Sequence, residues 1–520
     1  MLFNRPSEVQ AFLAANALLG QSQRYRDASQ AELYYNSQQY EQLEEWEAQV
    51  ELHKKKPRII LPLYRDALDG IERFVWGGHR FPQVSVAATR AADDPASADE
   101  VGPRLDVKQA EQLTKFLRAM VKAARLRRVA REFSISAMKT TSAAVILGTR
   151  GGHLTAHVEP GKHCTPTFDP LRPGDVAELD IKYVHSREEE DGRGGSKAQL
   201  YWYRRTITAE EDVTYNEVPF RPYQAPIWTR NEALTVRHAL GFCPVRWVRV
   251  NGDSSDPVDG RPVIDPALFP MLDEANYTIS LRNRSVAYNC DPWTIRTGSD
   301  GEGGEVRKQP GRMIDLPTGG DMKLVEASGS GAQRAAEHLK DLERSFRDAV
   351  SFVKANPEIA VGKISGVVLE FLYAPMMAVA GDLRDDLGED AFAGVLNLAL
   401  RLVTVVTLRG EDVWIPGAGD AARLLQAAQL RGVWLDVPIT IAWPKFFSPS
   451  VEEQKTLVDA ANAAVAGRLV AAKTGTAEWG NKDPRRFPDH AWLIGYAPAD
   501  KPTVAFACFI HSGTFGGRAC

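Results

Sequence analysis

Cysteine is scarce in this chain. Five thiols in 520 residues, an odd number at wide spacings (Cys164, Cys243, Cys290, Cys508 and Cys520), do not make a disulfide framework. Buried free thiols are the expectation. Also missing is an unbroken apolar run of the roughly 18 to 20 residues that a membrane span requires. The opening MLFNRPSEVQAFLAAN carries Glu and Gln where a signal peptide would carry basic residues, so a cytosolic origin is expected. Positive charge is not in excess: the net charge is -4, unlike a protein that grips nucleic acid through a basic face. No Walker sequence and no S-x-N triplet occurs. What is present is ordinary for a globular chain, with 44% apolar and 25% charged residues. The length suffices for about two to four domains with a sizeable core.

The apolar period changes along the chain. Residues 7–55 are polar and helix-prone. Leu63, Ala67, Ile71 and Val75 recur at helical spacing, as do Leu113, Phe116, Met120 and Ala124 in a strongly basic segment from Val107 to Arg131. Between them, residues 87–105 are rich in Ala, Asp and Pro and read as an exposed loop. From Ser142 to Val250 the period becomes two. AAVILG, HLTAHVE, VAELDIKYVH, AQLYWYRRTIT and VTYNEVPF read as strands, and HSREEEDGRGGSK as a charged hairpin tip. Helical spacing returns after Asp265, with Pro266 in the first turn, where proline is tolerated. A Gly-rich β insert over 291–327 leads through SGSG to a helix bearing Leu339, Leu342, Phe346, Val350 and Val353 on one stripe. Pro375 is expected to kink the next helix. Ser448 or Ser450 is a plausible N-cap for a helix following ITIAWPKFFSPS.

Taken in order, IDPALFPMLDEANYTISLRNRSVAYNCDPWTIRTG, KISGVVLEFLYAPMMAVAGDLRDDLGED and TLVDAANAAVAGRLV resemble the portal proteins of tailed bacteriophages. The resemblance extends loosely over residues 1–471. It implies an α+β, portal-type subunit with a β-rich wing (1–262), a stem helix (263–288), a small β-containing clip (289–330) and a second stem helix (331–354). It further implies a tunnel loop (355–366), a kinked helix and wing return (367–449), and a crown-like helix (450–471). Implied with it are a homo-oligomeric ring, usually of twelve subunits, around double-stranded DNA, and docking of terminase, capsid and neck or adaptor proteins. Lys354, Asn356 and Lys363 would face the DNA; Asp300, Glu302, Glu305, Arg307 and Lys308 would dock partners. On this reading the chain is a structural component of the virion at the capsid portal vertex, assembled in the host cytoplasm. It would be no enzyme, with no cofactor, no metal and no membrane contact.

The tail competes with that reading. KTGTAE, HAWLIGYAP and the alternating PTVAFACFI (residues 472–520) resemble the last part of the transpeptidase domain of class B penicillin-binding proteins. Lys473, Thr474 and Gly475 match that family's KTG element, which implies a β-strand beside an active site, with Lys and Thr meeting a substrate carboxylate and Gly allowing close approach. The serine nucleophile of such an enzyme lies in S-x-x-K. That spacing occurs at Ser136–Lys139 and Ser351–Lys354, each without the family's flanking pattern. The family continues beyond the point matching Cys520, so the expectation is a β tail without its catalytic partners. His153, His157, His163 and Cys164 invite a zinc reading, but their spacing fits no usual finger and strand packing is expected instead. The Gly-rich runs at Ser299–Gly304 and at 148–152 lack the strand-loop-helix context of a phosphate loop and read as turns.

Overall fold

A computed structural model describes residues 22–40, 57–78, 80–88, 105–191, 195–221, 224–252, 256–290, 293–297, 321–325, 330–354, 366–428, 434, 436–447, 471–477, 490–497 and 504–510. The chain divides into two compact units. One comprises Met1–Phe352 with Ala378–Pro444, the other Val353–Met377 with Lys445–Cys520.

The larger unit mixes helices with a nine-stranded antiparallel sheet. Its helices are α1 (Ser22–Tyr35), α2 (Leu63–Val75), α3 (Val107–Ala123) and α4 (Leu126–Thr140). Of the stripe in α2, Ala67, Ile71 and Val75 are buried and Leu63 is half-buried, with Leu68 buried beside them. Helix α3 starts in a capping box, where the Asp106 carboxylate accepts from the Gln109 amide and the Gln109 side chain accepts from the Asp106 amide. The basic segment that reads as one helix is two, because Arg125 takes a left-handed conformation at φ 53° and starts α4 in a new direction.

The strands are β1 (Gln83–Val86), β2 (Ser142–Arg150), β3 (His153–Pro160), β4 (Cys164–Asp169), β5 (Arg172–Asp191), β6 (Gly195–Ile207), β7 (Glu211–Thr214), β8 (Val218–Pro219), β9 (Val236–Arg237) and β10 (Val245–Arg249). Strands β2 to β10 form the large sheet, in the order β3-β2-β10-β5-β6-β7-β9, with β4 on β5 and β8 on β6. The β5–β6 hairpin closes at Asp191 opposite Gly195, within the charged HSREEEDGRGGSK segment. Its inner face buries Leu179, Ile181 and Ile207 with Ile146, Val245 and Trp247, because alternate residues of each strand share a face.

Helix α5 (Phe269–Cys290) and helix α6 (Ser330–Ala349) pack together, and β11 (Trp293–Thr297) pairs with β12 (Asp321–Val325). Helix α6 ends at Ala349, and Ser351 follows in a left-handed conformation at φ 53°. The expected tunnel loop and clip residues Asn356, Lys363, Asp300, Glu302, Glu305, Arg307 and Lys308 lie outside the described residues, as does the helix expected over 450–470.

Helix α7 (Gly366–Arg384), carrying Pro375 inside it, runs through a π-helical turn (Asp385–Phe392) into α8 (Ala393–Leu408). Among the described residues, this Glu370–Leu408 run is the one helix long and apolar enough to cross a membrane, a length the primary sequence did not suggest; 61% of its most apolar window is buried inside the protein. Two further elements close the larger unit: α9 (Ala418–Ala428), and β13 (Ile439–Ala442), which pairs with β1.

The π turn sets a tight contact. A Cβ on Gly388 would lie 2.0 Å from the Trp443 ring, so only glycine fits there unless the indole moves. Gly388→Ala is expected to cost about 1–3 kcal/mol, as overpacking does, read as a lower denaturant midpoint at unchanged slope. An unchanged midpoint would show that Trp443 yields freely.

Candidate functional site

The smaller unit carries the strands β14 (Ala471–Ala477), β15 (His490–Ala497) and β16 (Val504–Ile510) in that order, all antiparallel. KTG lies in the middle of β14, with Lys473 opposite Ile494, Thr474 opposite Leu493 and Gly475 opposite Trp492. Ile494 in turn stands opposite Ala507, so Lys473, Ile494 and Ala507 form one cross-strand row. Of this row, Ile494 is 57% exposed and Ala507 is exposed. Among the described residues β14 pairs only with β15 and is therefore an edge strand. An edge strand presents unpaired backbone N–H and C=O groups that an extended peptide can add to.

The two S-x-x-K pairs differ in geometry. Ser136 and Lys139 sit on α4 at i, i+3, a spacing that puts both on one helical face. Ser351 and Lys354 follow the end of α6 and have no helix to align them. Yet Ser136 is buried, and Lys139 is already engaged. Its ammonium lies 3.7 Å from the Glu32 carboxylate and over the Tyr35 ring at 4.7 Å. Burial holds the Lys139 pKa below the ordinary lysine value, against the opposing pull of Glu32. Glu32 also pairs with the buried Lys162, whose ammonium sits over Tyr25. Burial alone would raise the Glu32 pKa, but the ammonium groups of Lys162 and Lys139 hold it below the usual carboxylate value. Sequence reasoning missed this ion cluster, since Glu32 lies more than a hundred residues from either lysine and the three match no motif.

The four residues considered for zinc go to separate partners. His153 meets Trp414 edge-on at 4.6 Å, and His157 Nε2 lies 3.0 Å from Glu159. His163 stacks on Tyr183 at 4.7 Å, and burial pushes its pKa down to about 3, so the ring is neutral. Cys164 is wholly buried, which pushes its thiol well above the usual range. Among the described residues no group of three potential ligands gathers.

Comparison with known proteins defines the class of the tail. Residues 450–519 match the penicillin binding protein transpeptidase domain, so the chain ends in a segment of that type. Beyond this match, the chain is 34% identical over 117 residues to the peptidoglycan D,D-transpeptidase PbpA of Mycolicibacterium smegmatis, covering 22% of this chain and 21% of that protein. It is 30% identical over 149 residues to the PbpA of Mycobacterium tuberculosis, covering 26% of this chain and 30% of that protein. The chain thus spans between about a fifth and a third of the length of these curated relatives.

These matches overturn the portal reading. The expectations of a non-enzymatic chain, a DNA-enclosing ring with terminase and neck partners, freedom from membranes and a place in the virion fall with it, since the matched relatives are bacterial transpeptidases. The DNA-facing role of Lys354, which is exposed just after α6, and those of the clip residues lose their basis too. The physical reason lies in the kind of signal used. The order of helices and strands records which faces are buried, and many α+β chains share it. KTGTAE with HAWLIGYAP instead fixes particular side chains on a particular strand.

Proposed function

We propose that this chain is a peptidoglycan D,D-transpeptidase-type protein in which β14 holds the C-terminal end of a peptide substrate. The observation that carries this reading is the position of KTG on a strand that, among the described residues, is paired along one side only, with Lys473 in register with Ile494. There the substrate peptide would extend the sheet by backbone pairing, and Gly475 would let it lie close. The Lys473 ammonium and Thr474 hydroxyl would receive its carboxylate. A charge-assisted hydrogen bond of this kind contributes on the order of 1.5–3 kcal/mol.

The chemistry is acyl transfer. A serine hydroxyl attacks the carbonyl of the terminal peptide bond, the terminal residue leaves as an amine, and an acceptor amine then takes the acyl group from the serine. Of the two described S-x-x-K pairs only Ser136–Lys139 has helical spacing, and the ion cluster around Lys139 encloses it.

A fluorescent penicillin tests the reading, because it acylates the same serine. The full chain is expected to take up covalent label, and Lys473→Ala to slow labelling at least about tenfold, equivalent to about 1.4 kcal/mol. Peptide mapping then identifies the serine. A chain that stays unlabelled through prolonged exposure at saturating penicillin, while a known penicillin-binding protein labels alongside it, sinks the proposal.

A further inference from the structure

The larger unit contains a cavity of about 380 Å3 between the start of β5, the approach to β10 and helix α8. That volume falls in the range of small-molecule sites. Its polar lining is incompletely paired. Arg401, on α8, stacks its guanidinium on the Phe242 ring at 4.2 Å. Burial and the nearby Arg172 disfavour its charge, while Asp175 and Asp436 favour it. Even so, Arg401 has no ion-pair partner within 4 Å among the described residues, and neither has Asp436. Both charges line the cavity without pairing with each other.

A further donor in the lining is unused. Arg246 spends an Nη2 on Asp390 at 2.5 Å, but its Nε is buried without an acceptor. The Trp434 indole Nε1 is buried beside Asp436 and lowers the pKa of that carboxyl, against the larger effects of burial and Asp175 that raise it. Buried donors are normally satisfied, and each one left open costs about 1–3 kcal/mol. The cavity thus offers guanidinium donors in its lining together with a carboxylate that has no ion-pair partner among the described residues. Val176 and Leu398 add apolar surface to the lining.

We infer that this cavity is a binding site for a small zwitterion of the α-amino-acid class, its carboxylate on Arg401 and its ammonium on Asp436. The site is built from residues of the larger unit alone and does not depend on the transpeptidase reading. A planar guanidinium fixed against an aromatic ring is well placed for two parallel hydrogen bonds to a carboxylate. A ligand carrying both charges satisfies Arg401 and Asp436 together, whereas a simple anion leaves Asp436 facing added negative charge.

Isothermal titration of the full chain with L-leucine tests this, with acetate and methylammonium as single-charge controls. L-leucine is expected to bind, and each control to bind at least about tenfold more weakly. Arg401→Gln and Asp436→Asn should each weaken L-leucine binding at least about tenfold. Arg401→Lys, which keeps the charge but loses the planar fork, should fall between. Circular dichroism confirms that each variant folds, and if Arg401→Gln does not, Asp436→Asn carries the test alone. Absence of L-leucine binding, acetate binding equal to L-leucine, or unaltered affinity in a folded Asp436→Asn protein would each overturn the inference.

Discussion

Trp76→Ala is expected to destabilise the larger unit by about 3–5 kcal/mol, the range for removing a large aromatic side chain from a core. Trp76 is fully buried and lies at the meeting point of segments far apart in sequence. It stacks on Phe81 at 5.0 Å, meets Phe392 edge-on at 5.5 Å and approaches Trp443 at 5.4 Å and Phe133 at 6.4 Å. Its indole N–H donates to Ser134 Oγ at 3.0 Å, and that hydroxyl donates in turn to the Ala130 carbonyl at 2.7 Å. Truncation therefore opens a cavity and removes a buried donor at the same time. Trp76→Phe should recover most of the packing but not the hydrogen bond, leaving a cost of about 1–2 kcal/mol. Denaturant unfolding followed by the far-ultraviolet signal of the larger unit reads both. Equal, small losses for the two variants would mean that the ring cluster relaxes around the gap.

What the sequence made legible was what repeats locally. The run VAELDIKYVH lies within β5, and AQLYWYRRTIT lies within β6 apart from its last residue, because alternation of apolar residues is a property of a few neighbours and survives in any fold with one buried face. KTG was legible for a related reason: three consecutive residues carry the chemistry, so no tertiary arrangement had to be guessed. The breaks were not legible. Arg125 ends one helix and begins another without glycine, proline or asparagine to announce it, and Ser351 takes the same left-handed conformation just after α6 ends. Packing holds both residues in a conformation that their own preferences resist. The π turn over Asp385–Phe392 is hidden likewise, since Gly388 is accommodated by Trp443, fifty-five positions later. The cavity beside Arg401 draws on β5, the approach to β10, α8 and the segment before β13, so no window of sequence contains it.

The Glu32 cluster gives a second large effect, with a pH signature. Glu32→Gln keeps the shape of the side chain but leaves the Lys162 and Lys139 ammonium groups, both largely buried, without their counter-charge. Breaking a buried pair from one side typically costs 3–5 kcal/mol. Glu32 is 27% exposed, so solvent screening reduces the expected loss to about 2–3 kcal/mol. The sign of the pH dependence follows from the depressed carboxyl of Glu32 in the folded chain. Its contribution is fully present above the unfolded value of 4.5 and is lost as the pH falls through the lower folded value. Wild-type stability should therefore drop more steeply than that of Glu32→Gln as the pH is lowered from 5 towards 3, and the two curves should converge at the acid end. Parallel curves across that window would show that Glu32 does not titrate against these lysines. Glu32→Gln with Lys162→Met separates charge from packing. If the penalty of the single variant comes from the orphaned ammonium, the second substitution should restore a substantial part of the stability rather than add to the loss.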